Sequence, residues 1–272
     1  MVERFVVTGA GGVRLTGLEF GGTGPGILLL HGLMCRASMW SRTARWLTRY
    51  GRVVAVDFRG HGHSDKPDSE NPDGPYDRDA YLADTAAVIE QCGLGPAVVI
   101  GHSLGGLTAW QLAGRRPELV RAVVIGDMRA RCGDLETGFR TWFDSWPLPF
   151  TSHSDVRDFF GAVHAGQGES FTDVMVEGPD GYRPMFSFDH ALATVRAFAN
   201  RDHFAELDLV TAPTLVVKGE LSDVPRAEQR EMAERLPAGR YAEVAGAGHV
   251  LHFDNPAGWR AAVEPFVAEV LA

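Results

Sequence analysis

The sequence predicts an α/β protein built on one mostly parallel β-sheet. Short apolar segments of strand length alternate with longer segments of helical pattern over most of the 272 residues. This alternation is typical of βαβ units, in which helices cover both faces of the sheet and the strands are apolar throughout. Hydrophobic residues make up 45% of the chain, which is enough for one large core.

Eight strands and five core helices are predicted. The chain opens with a hairpin, residues 4–8 and 13–20, turned at the glycine-rich segment 9–12. A dinucleotide-binding loop needs a helix directly after its glycines, and strand residues follow here, so no nucleotide site is predicted. The other strands are residues 27–30, 52–56, 97–100, 122–125, 214–217 and 241–244. The helices are residues 38–49, 79–91, 104–114, 226–235 and 256–271.

Residues 129–208 break this rhythm and are predicted to form a cap on a core domain of residues 1–128 and 209–272. The cap segment is dense in aromatic residues that its short helices and loops could not bury alone, so it is expected to pack over the end of the sheet and line a pocket. This composition suggests a mainly apolar or aromatic small-molecule substrate. The residues expected to contact it are Trp142, Phe143, Trp146 and Phe150, with Met34 and Met128 near strand ends.

Charge and cysteine content narrow the function classes. The net charge is −9, with 26 basic against 35 acidic residues, so nucleic acid is not an expected partner. Cys35, Cys92 and Cys132 form neither a disulfide framework nor a metal or redox pair. No apolar segment approaches the ~20 residues of a membrane span, and the N-terminus lacks a signal-peptide pattern. A soluble, cytoplasmic protein without a membrane partner is expected.

Residues 101–105, Gly-His-Ser-Leu-Gly, match the Gly-x-Ser-x-Gly nucleophile elbow. In this motif a strained turn between a strand and a helix lifts a serine hydroxyl above the sheet. A predicted strand precedes the motif and a predicted helix follows it, as the motif requires. Ser103 is therefore the candidate nucleophile.

His249 is the candidate general base. It lies in a glycine-rich segment after the last predicted strand, and it follows Ser103 in the chain, as the elbow's order of serine, acid and histidine requires. An imidazole with a pKa of ~6.5 can take and return a proton near neutral pH. His252 competes for this role but is predicted to be structural, because only His249 lies in the glycine-rich turn.

Together these motifs resemble the α/β-hydrolase fold family over nearly the whole chain. The segments that carry the resemblance are residues 31–32, 57–64, 101–106, 127, 219–223 and 248–249. The resemblance implies an eight-stranded, mostly parallel sheet with helices on both faces and a helical cap after the sixth strand. It also implies an oxyanion hole formed by the backbone N–H groups of Leu33 and Leu104. His31 is expected to brace the Leu33 loop and is counted with the substrate-binding residues.

The acid of the triad has two candidates. The resembling family usually carries it in a Gly-x-x-Asp segment after the seventh strand, but Ser222 stands at that position and Asp223 follows one residue later. Asp127 ends the preceding strand, at a site where some members carry their acid. Asp127 is the preferred acid and Asp223 is the alternative. In the preferred arrangement Ser222 is a fourth member of the site, which hydrogen-bonds to His249 or to Asp127. Either aspartate could fix the tautomer of the histidine.

The segment 59–65, Arg-Gly-His-Gly-His-Ser-Asp, contains the His-x-His-x-Asp opening of a dinuclear metal motif. The motif continues with a histidine, and Lys66 stands there instead. No second cluster of ligands occurs at a recognisable spacing. No metal and no organic cofactor is predicted.

A serine nucleophile favours acyl transfer. Haloalkane dehalogenase and epoxide hydrolase activities are not expected, because those enzymes of the resembling fold use aspartate where Ser103 stands. The expected reaction is hydrolysis of an ester, thioester or lactone through an acyl-enzyme. Two alternatives stay open. Carbon–carbon bond hydrolases, hydroxynitrile lyases and cofactor-free dioxygenases use similar residues on this fold, and a non-catalytic ligand receptor could retain it.

Overall fold

The computed structural model describes residues 1–68 and 74–272. The first half of the core contains β1 (Glu3–Thr8), β2 (Arg14–Gly21), β3 (Gly26–Leu30), α1 (Ser41–Leu47), β4 (Arg52–Val56), α2 (Arg78–Gln91), β5 (Ala97–His102), α3 (Leu104–Arg115) and β6 (Val120–Gly126). Short 3-10 helices occur at Ala10–Gly12, Ala37–Trp40 and Pro117–Leu119. The helix predicted at residues 38–49 is therefore divided into a 3-10 turn and the shorter α1.

The chain then leaves the sheet and returns to it. The intervening segment contains β7 (Arg131–Cys132), α4 (Glu136–Asp144), α5 (His153–Gly161), α6 (Ala165–Asp173), β8 (Met175–Gly178), β9 (Gly181–Pro184), α7 (Phe188–Arg196), β10 (Arg201–Asp202) and α8 (Phe204–Leu207). The final segment contains β11 (Thr214–Gly219), α9 (Arg226–Arg235), β12 (Gly239–Val244), α10 (Leu251–Asp254) and α11 (Pro256–Val270).

Eight strands form one sheet in the order β1-β2-β4-β3-β5-β6-β11-β12. Strand β2 is antiparallel to both of its neighbours, and the six strands from β4 to β12 in this order are parallel. The predicted fold class is confirmed, and so is the opening hairpin. Strands β3, β5 and β11 are buried throughout because helices cover both of their faces, while the edge strand β12 is mostly half-buried.

Successive residues of the central strands enter different hydrophobic cores. In β3, Leu28 and Leu30 pack in the core that also contains Trp110 of α3. Ile27 and Leu29 point to the opposite face, where the core includes Trp259 of α11. This alternation follows from the two-residue repeat of a strand.

The parallel arrangement brings the carboxyl ends of β3, β5, β6, β11 and β12 to the same edge of the sheet. Ligands of open α/β sheets bind at this edge, because the loops after the strands converge there. The loops carrying the predicted nucleophile, base, acid and oxyanion groups all begin at this edge. Within the described residues, none of the helices has both the length and the hydrophobicity that a bilayer span requires.

Candidate active site

Ser103 occupies a strained turn between β5 and α3. Its backbone angles are φ 52° and ψ −119°, in a region that residues other than glycine rarely adopt. The turn is compact: a Cβ on Gly101 would lie 2.1 Å from the carbonyl oxygen of Gly105, and one on Gly105 would lie 2.2 Å from that of Leu30. Glycine is therefore required at both positions, which explains their place in the motif.

His249 pairs with Asp127 rather than with Asp223. The His249 Nδ1 atom lies 2.7 Å from Oδ2 of Asp127, whose side chain is fully buried. Asp127 also accepts hydrogen bonds from the Ser222 hydroxyl at 2.5 Å and from the Gly219 backbone N–H at 3.0 Å. The carboxylate thus accepts three hydrogen bonds, and the one from His249 fixes Nδ1 as the protonated nitrogen of that ring.

Asp223, the alternative acid, lies at the surface with 86% of its side chain exposed. Its side chain pairs with Arg129, with Oδ2 and Nη2 3.3 Å apart. Asp223 therefore makes no hydrogen bond to His249, while the preceding Ser222 reaches Asp127.

A buried lysine holds the loop that supplies two of the donors to Asp127. Nζ of Lys218 donates hydrogen bonds to the carbonyl oxygens of Gly219 at 2.8 Å and Ser222 at 3.0 Å. Sequence reasoning missed this residue, because a lysine in a strand pattern gives no sign of where its ammonium group points.

Burial and pairing set opposite pKa shifts in Asp127 and His249. For His249, loss of solvent lowers the pKa, but the hydrogen bond and charge of Asp127 outweigh this effect and the pKa is raised above 6.5. For Asp127, burial raises the pKa, but the hydrogen bond and charge of His249, with help from Ser222 and Gly219, leave it lowered. Asp127 is therefore ionised at neutral pH and stabilises a proton on His249.

His102, next to Ser103 in the elbow, supports the backbone of His249. Its Nε2 atom lies 2.8 Å from the His249 carbonyl oxygen, which can only accept, so Nε2 carries the hydrogen. Burial and the nearby His249 lower the pKa of His102 to about 3, which keeps its ring neutral. His252 is also buried and stacks on Trp40 with ring centroids 4.6 Å apart.

Two cavities meet at Ser103, the candidate nucleophile. One, of about 300 Å³, extends toward Met128, Arg129 and Leu135, and the other, of about 210 Å³, extends toward Met34, Trp142 and Ser170. Both are lined by Leu33, Ser103, Phe139 and His249. A bound molecule can therefore extend to both sides of the Ser103 hydroxyl. No hydrogen bond joins that hydroxyl to His249 in the described part of the chain; such contacts are often loose without substrate.

Comparison with known proteins identifies the family. The sequence model that describes the alpha/beta hydrolase family matches residues 27–262 of this chain. These residues include all the strands from β4 to β12. This chain belongs to the alpha/beta hydrolase family. The match covers the elbow, the base and both candidate acids.

Individual members share moderate sequence identity with this chain. It is 29% identical to 2-(acetamidomethylene)succinate hydrolase of Mesorhizobium japonicum over 247 residues, covering 86% of this chain and 85% of the relative. It is also 29% identical to sn-1-specific diacylglycerol lipase ABHD11 of Mus musculus over 280 residues, covering 92% and 83%. The crystal structure of E-2-(acetamidomethylene)succinate hydrolase superposes with a TM-score of 0.85 at 25% identity, covering 98% of this chain and 100% of that one.

The predicted substrate-binding residues divide into two groups. Met34 and Trp142 line the smaller cavity and Met128 the larger one. Phe143, Trp146 and Phe150 were predicted wrongly, because they are 3%, 6% and 3% exposed and pack with other rings of residues 129–208. A sequence shows that a segment is aromatic but not which rings bury one another.

His31 was also assigned wrongly to substrate binding. It is fully buried and lines neither cavity. Its Nε2 accepts a hydrogen bond from the Phe58 N–H at 2.9 Å, and its Nδ1 donates to the Gly32 carbonyl at 2.7 Å. It therefore braces the loop after β3, the structural role expected for it.

Sequence reasoning missed several cavity residues. Phe139 and Phe198 belong to the aromatic cap segment but were not singled out, and Gln167 and Ser170 carried no motif. Arg129 stood at the predicted boundary of the cap without an assigned role. Among the described residues, no group of three or more histidine, cysteine, aspartate or glutamate side chains is arranged to hold a metal ion.

Proposed function

We propose that this alpha/beta hydrolase is a serine hydrolase that cleaves an ester, thioester or lactone of a small molecule through an acyl-enzyme. Ser103 is the nucleophile, His249 the general base and Asp127 the acid of the triad. The observation that supports this best is the 2.7 Å contact between His249 and the buried Asp127 at a cavity that Ser103 also lines. Ser222 supports the acid.

In the first half of the reaction, Ser103 Oγ attacks the substrate carbonyl carbon while Nε2 of His249 takes the hydroxyl proton. The negative charge on the carbonyl oxygen is held by the N–H groups of Leu33 and Leu104. Leu104 suits this role because it is the first residue of α3, where backbone N–H groups have no acceptor within the helix. The protonated His249 then gives its proton to the leaving oxygen or sulfur atom.

In the second half, water attacks the acyl-enzyme carbonyl and gives a proton to His249. The tetrahedral intermediate collapses, the acid product leaves, and the proton returns to Ser103. The ionised Asp127 stabilises the imidazolium in both halves.

The relatives act on different molecules, 2-(acetamidomethylene)succinate in one and diacylglycerol in another, so the substrate is argued from the cavities. Their combined size suits a small molecule. Trp142 and Phe171 on one side, and Leu135 and Phe198 on the other, favour apolar or aromatic groups flanking the scissile bond.

A fluorophosphonate probe and 4-nitrophenyl butyrate test this proposal. We expect the wild type to hydrolyse the ester and to be labelled on Ser103, located by mass spectrometry of the labelled peptide. Ser103→Ala should lose both properties, while Ser145→Ala, a change at an exposed serine of the cap segment, should keep both. Circular dichroism checks that both variants fold.

Labelling without ester hydrolysis would leave the nucleophile but contradict the esterase chemistry. Oxygen consumption with an aromatic heterocycle would then favour the dioxygenase alternative. Absence of both labelling and turnover would favour a ligand receptor.

A further inference from the structure

Arg129 is a cationic side chain in the wall of the larger cavity. It lies two residues after Asp127, and it lines the same 300 Å³ space as Ser103 and His249. The other charged residues in that wall are Asp127 and Asp223, and the remaining lining is largely apolar. Since 26% of its side chain is exposed, most of that side chain packs against the protein.

The hydrogen-bonding capacity of Arg129 is mostly unused. The one hydrogen bond of its side chain in the described part of the chain runs from Nη2 to Asp223 at 3.3 Å, although a guanidinium carries five N–H donors. By contrast, Arg36 binds Asp173 through two nitrogens at 3.0 and 2.9 Å. Asp223 is 86% exposed, so it can turn to water at little cost.

We propose that Arg129 binds a carboxylate group of the substrate, which replaces Asp223 as the partner of the guanidinium. The substrate is then an ester, thioester or lactone whose flanking group carries a carboxylate, with apolar atoms between it and the scissile bond. This inference rests on the proposed hydrolase function and specifies its substrate class. A planar, two-pronged donor suits a carboxylate and explains why arginine stands in an apolar wall.

The negative charge of Asp127 does not oppose this binding strongly. The Asp127 side chain has no exposed surface, and its carboxylate accepts hydrogen bonds from His249, Ser222 and Gly219. The charge of Asp223 is exposed to water and is screened by salt. Arg129 is therefore the charged group best placed to meet an anion in this cavity.

The test compares, in each of two pairs, an ester that carries a free carboxylate with a neutral ester that does not. 4-Nitrophenyl hydrogen glutarate carries a free carboxylate on its acyl chain, and 4-nitrophenyl methyl glutarate has the same chain with that group esterified. A second pair, 4-butyryloxybenzoate and phenyl butyrate, carries the difference on the leaving group. The readout in each pair is the ratio of kcat/KM for the anionic ester to that for the neutral one.

We expect Arg129→Gln to lower this ratio about 10- to 100-fold in at least one pair, because a charge-assisted hydrogen bond is lost. Arg129→Lys should lower it less, since the charge remains but the two-pronged geometry does not. Asp223→Asn should raise the ratio by removing the competing anion. Arg121→Gln, an exposed arginine at the other end of β6, is the control and should leave the ratio unchanged.

A ratio that stays within twofold in both pairs for Arg129→Gln would overturn the carboxylate site while leaving the hydrolase intact. A wild type that hydrolyses none of the four esters would overturn the proposed function, and with it this inference. A fall in turnover of anionic and neutral esters alike would assign Arg129 a structural role and would also overturn the inference.

Discussion

Asp127→Asn separates the two candidate acids of this hydrolase most directly. Oδ2 of Asp127 faces two donors, His249 Nδ1–H and the Ser222 hydroxyl, and Oδ1 faces the Gly219 N–H. An asparagine has one oxygen and one NH₂ group, so in either orientation its NH₂ group meets at least one donor. This mismatch in a fully buried site should lower the free energy of unfolding by about 1–3 kcal/mol.

The effect on catalysis should be larger. Without the carboxylate, the imidazolium that forms on His249 has no negative charge beside it. The neutral ring is also no longer held in one tautomer. Loss of this function corresponds to a fall in kcat of about 10³- to 10⁴-fold, or about 4–5.5 kcal/mol of transition-state stabilisation. The assay is kcat for 4-nitrophenyl butyrate at pH 8, with thermal unfolding to measure stability.

Asp223→Asn is the matched comparison, because it makes the same chemical change at a side chain that is 86% exposed. It should lower kcat on the neutral ester less than about tenfold, since exposed ion pairs contribute little. If Asp223→Asn abolished turnover while Asp127→Asn kept more than a tenth of it, the assignment of the acid would be refuted.

Two further predictions concern the base and the cap. The pKa of His249 is raised above 6.5, and only the neutral ring accepts a proton, so kcat/KM for a neutral ester should fall as the pH drops through a midpoint above 6.5. In Asp127→Asn this midpoint should move to lower pH, and an unchanged midpoint would contradict the pairing. Trp142→Ala should raise KM for naphthyl esters more than for ethyl esters, because Trp142 lines the smaller cavity. Trp146→Ala should instead lower the free energy of unfolding by about 3–5 kcal/mol in thermal unfolding, and equal KM effects in both variants would contradict this division.

The sequence predicted the centre of the sheet because the strands there are buried on both faces. Such strands read as continuous apolar runs, and runs like residues 27–30 and 97–100 can be recognised without any tertiary information. The elbow was equally readable, since the turn at Ser103 needs glycine at positions 101 and 105 for local steric reasons. The elbow can therefore be recognised from the five consecutive residues 101–105.

The acid partner of His249 and the residues that line the cavities could not be predicted from local sequence patterns. Asp127 and Asp223 both follow strands, and either could have faced His249 on the evidence of order alone. The tertiary structure brings Asp127 to Nδ1 of His249 across 122 residues of chain and leaves Asp223 in solvent beside Arg129. The pairing depends on where separate loops converge.

The same reason explains why the substrate contacts predicted for Phe143, Trp146 and Phe150 were wrong. Trp142 and Trp146 are four residues apart in an aromatic segment, and the sequence treats them alike. One lines the smaller cavity and the other is enclosed by rings such as Phe160 and Phe188. Local patterns thus determined the fold class and pointed to the candidate nucleophile and the candidate base. The aspartate that pairs with His249, the lining of the cavities and the position of Arg129 were decided by packing between distant segments, because burial is a property of the assembled molecule.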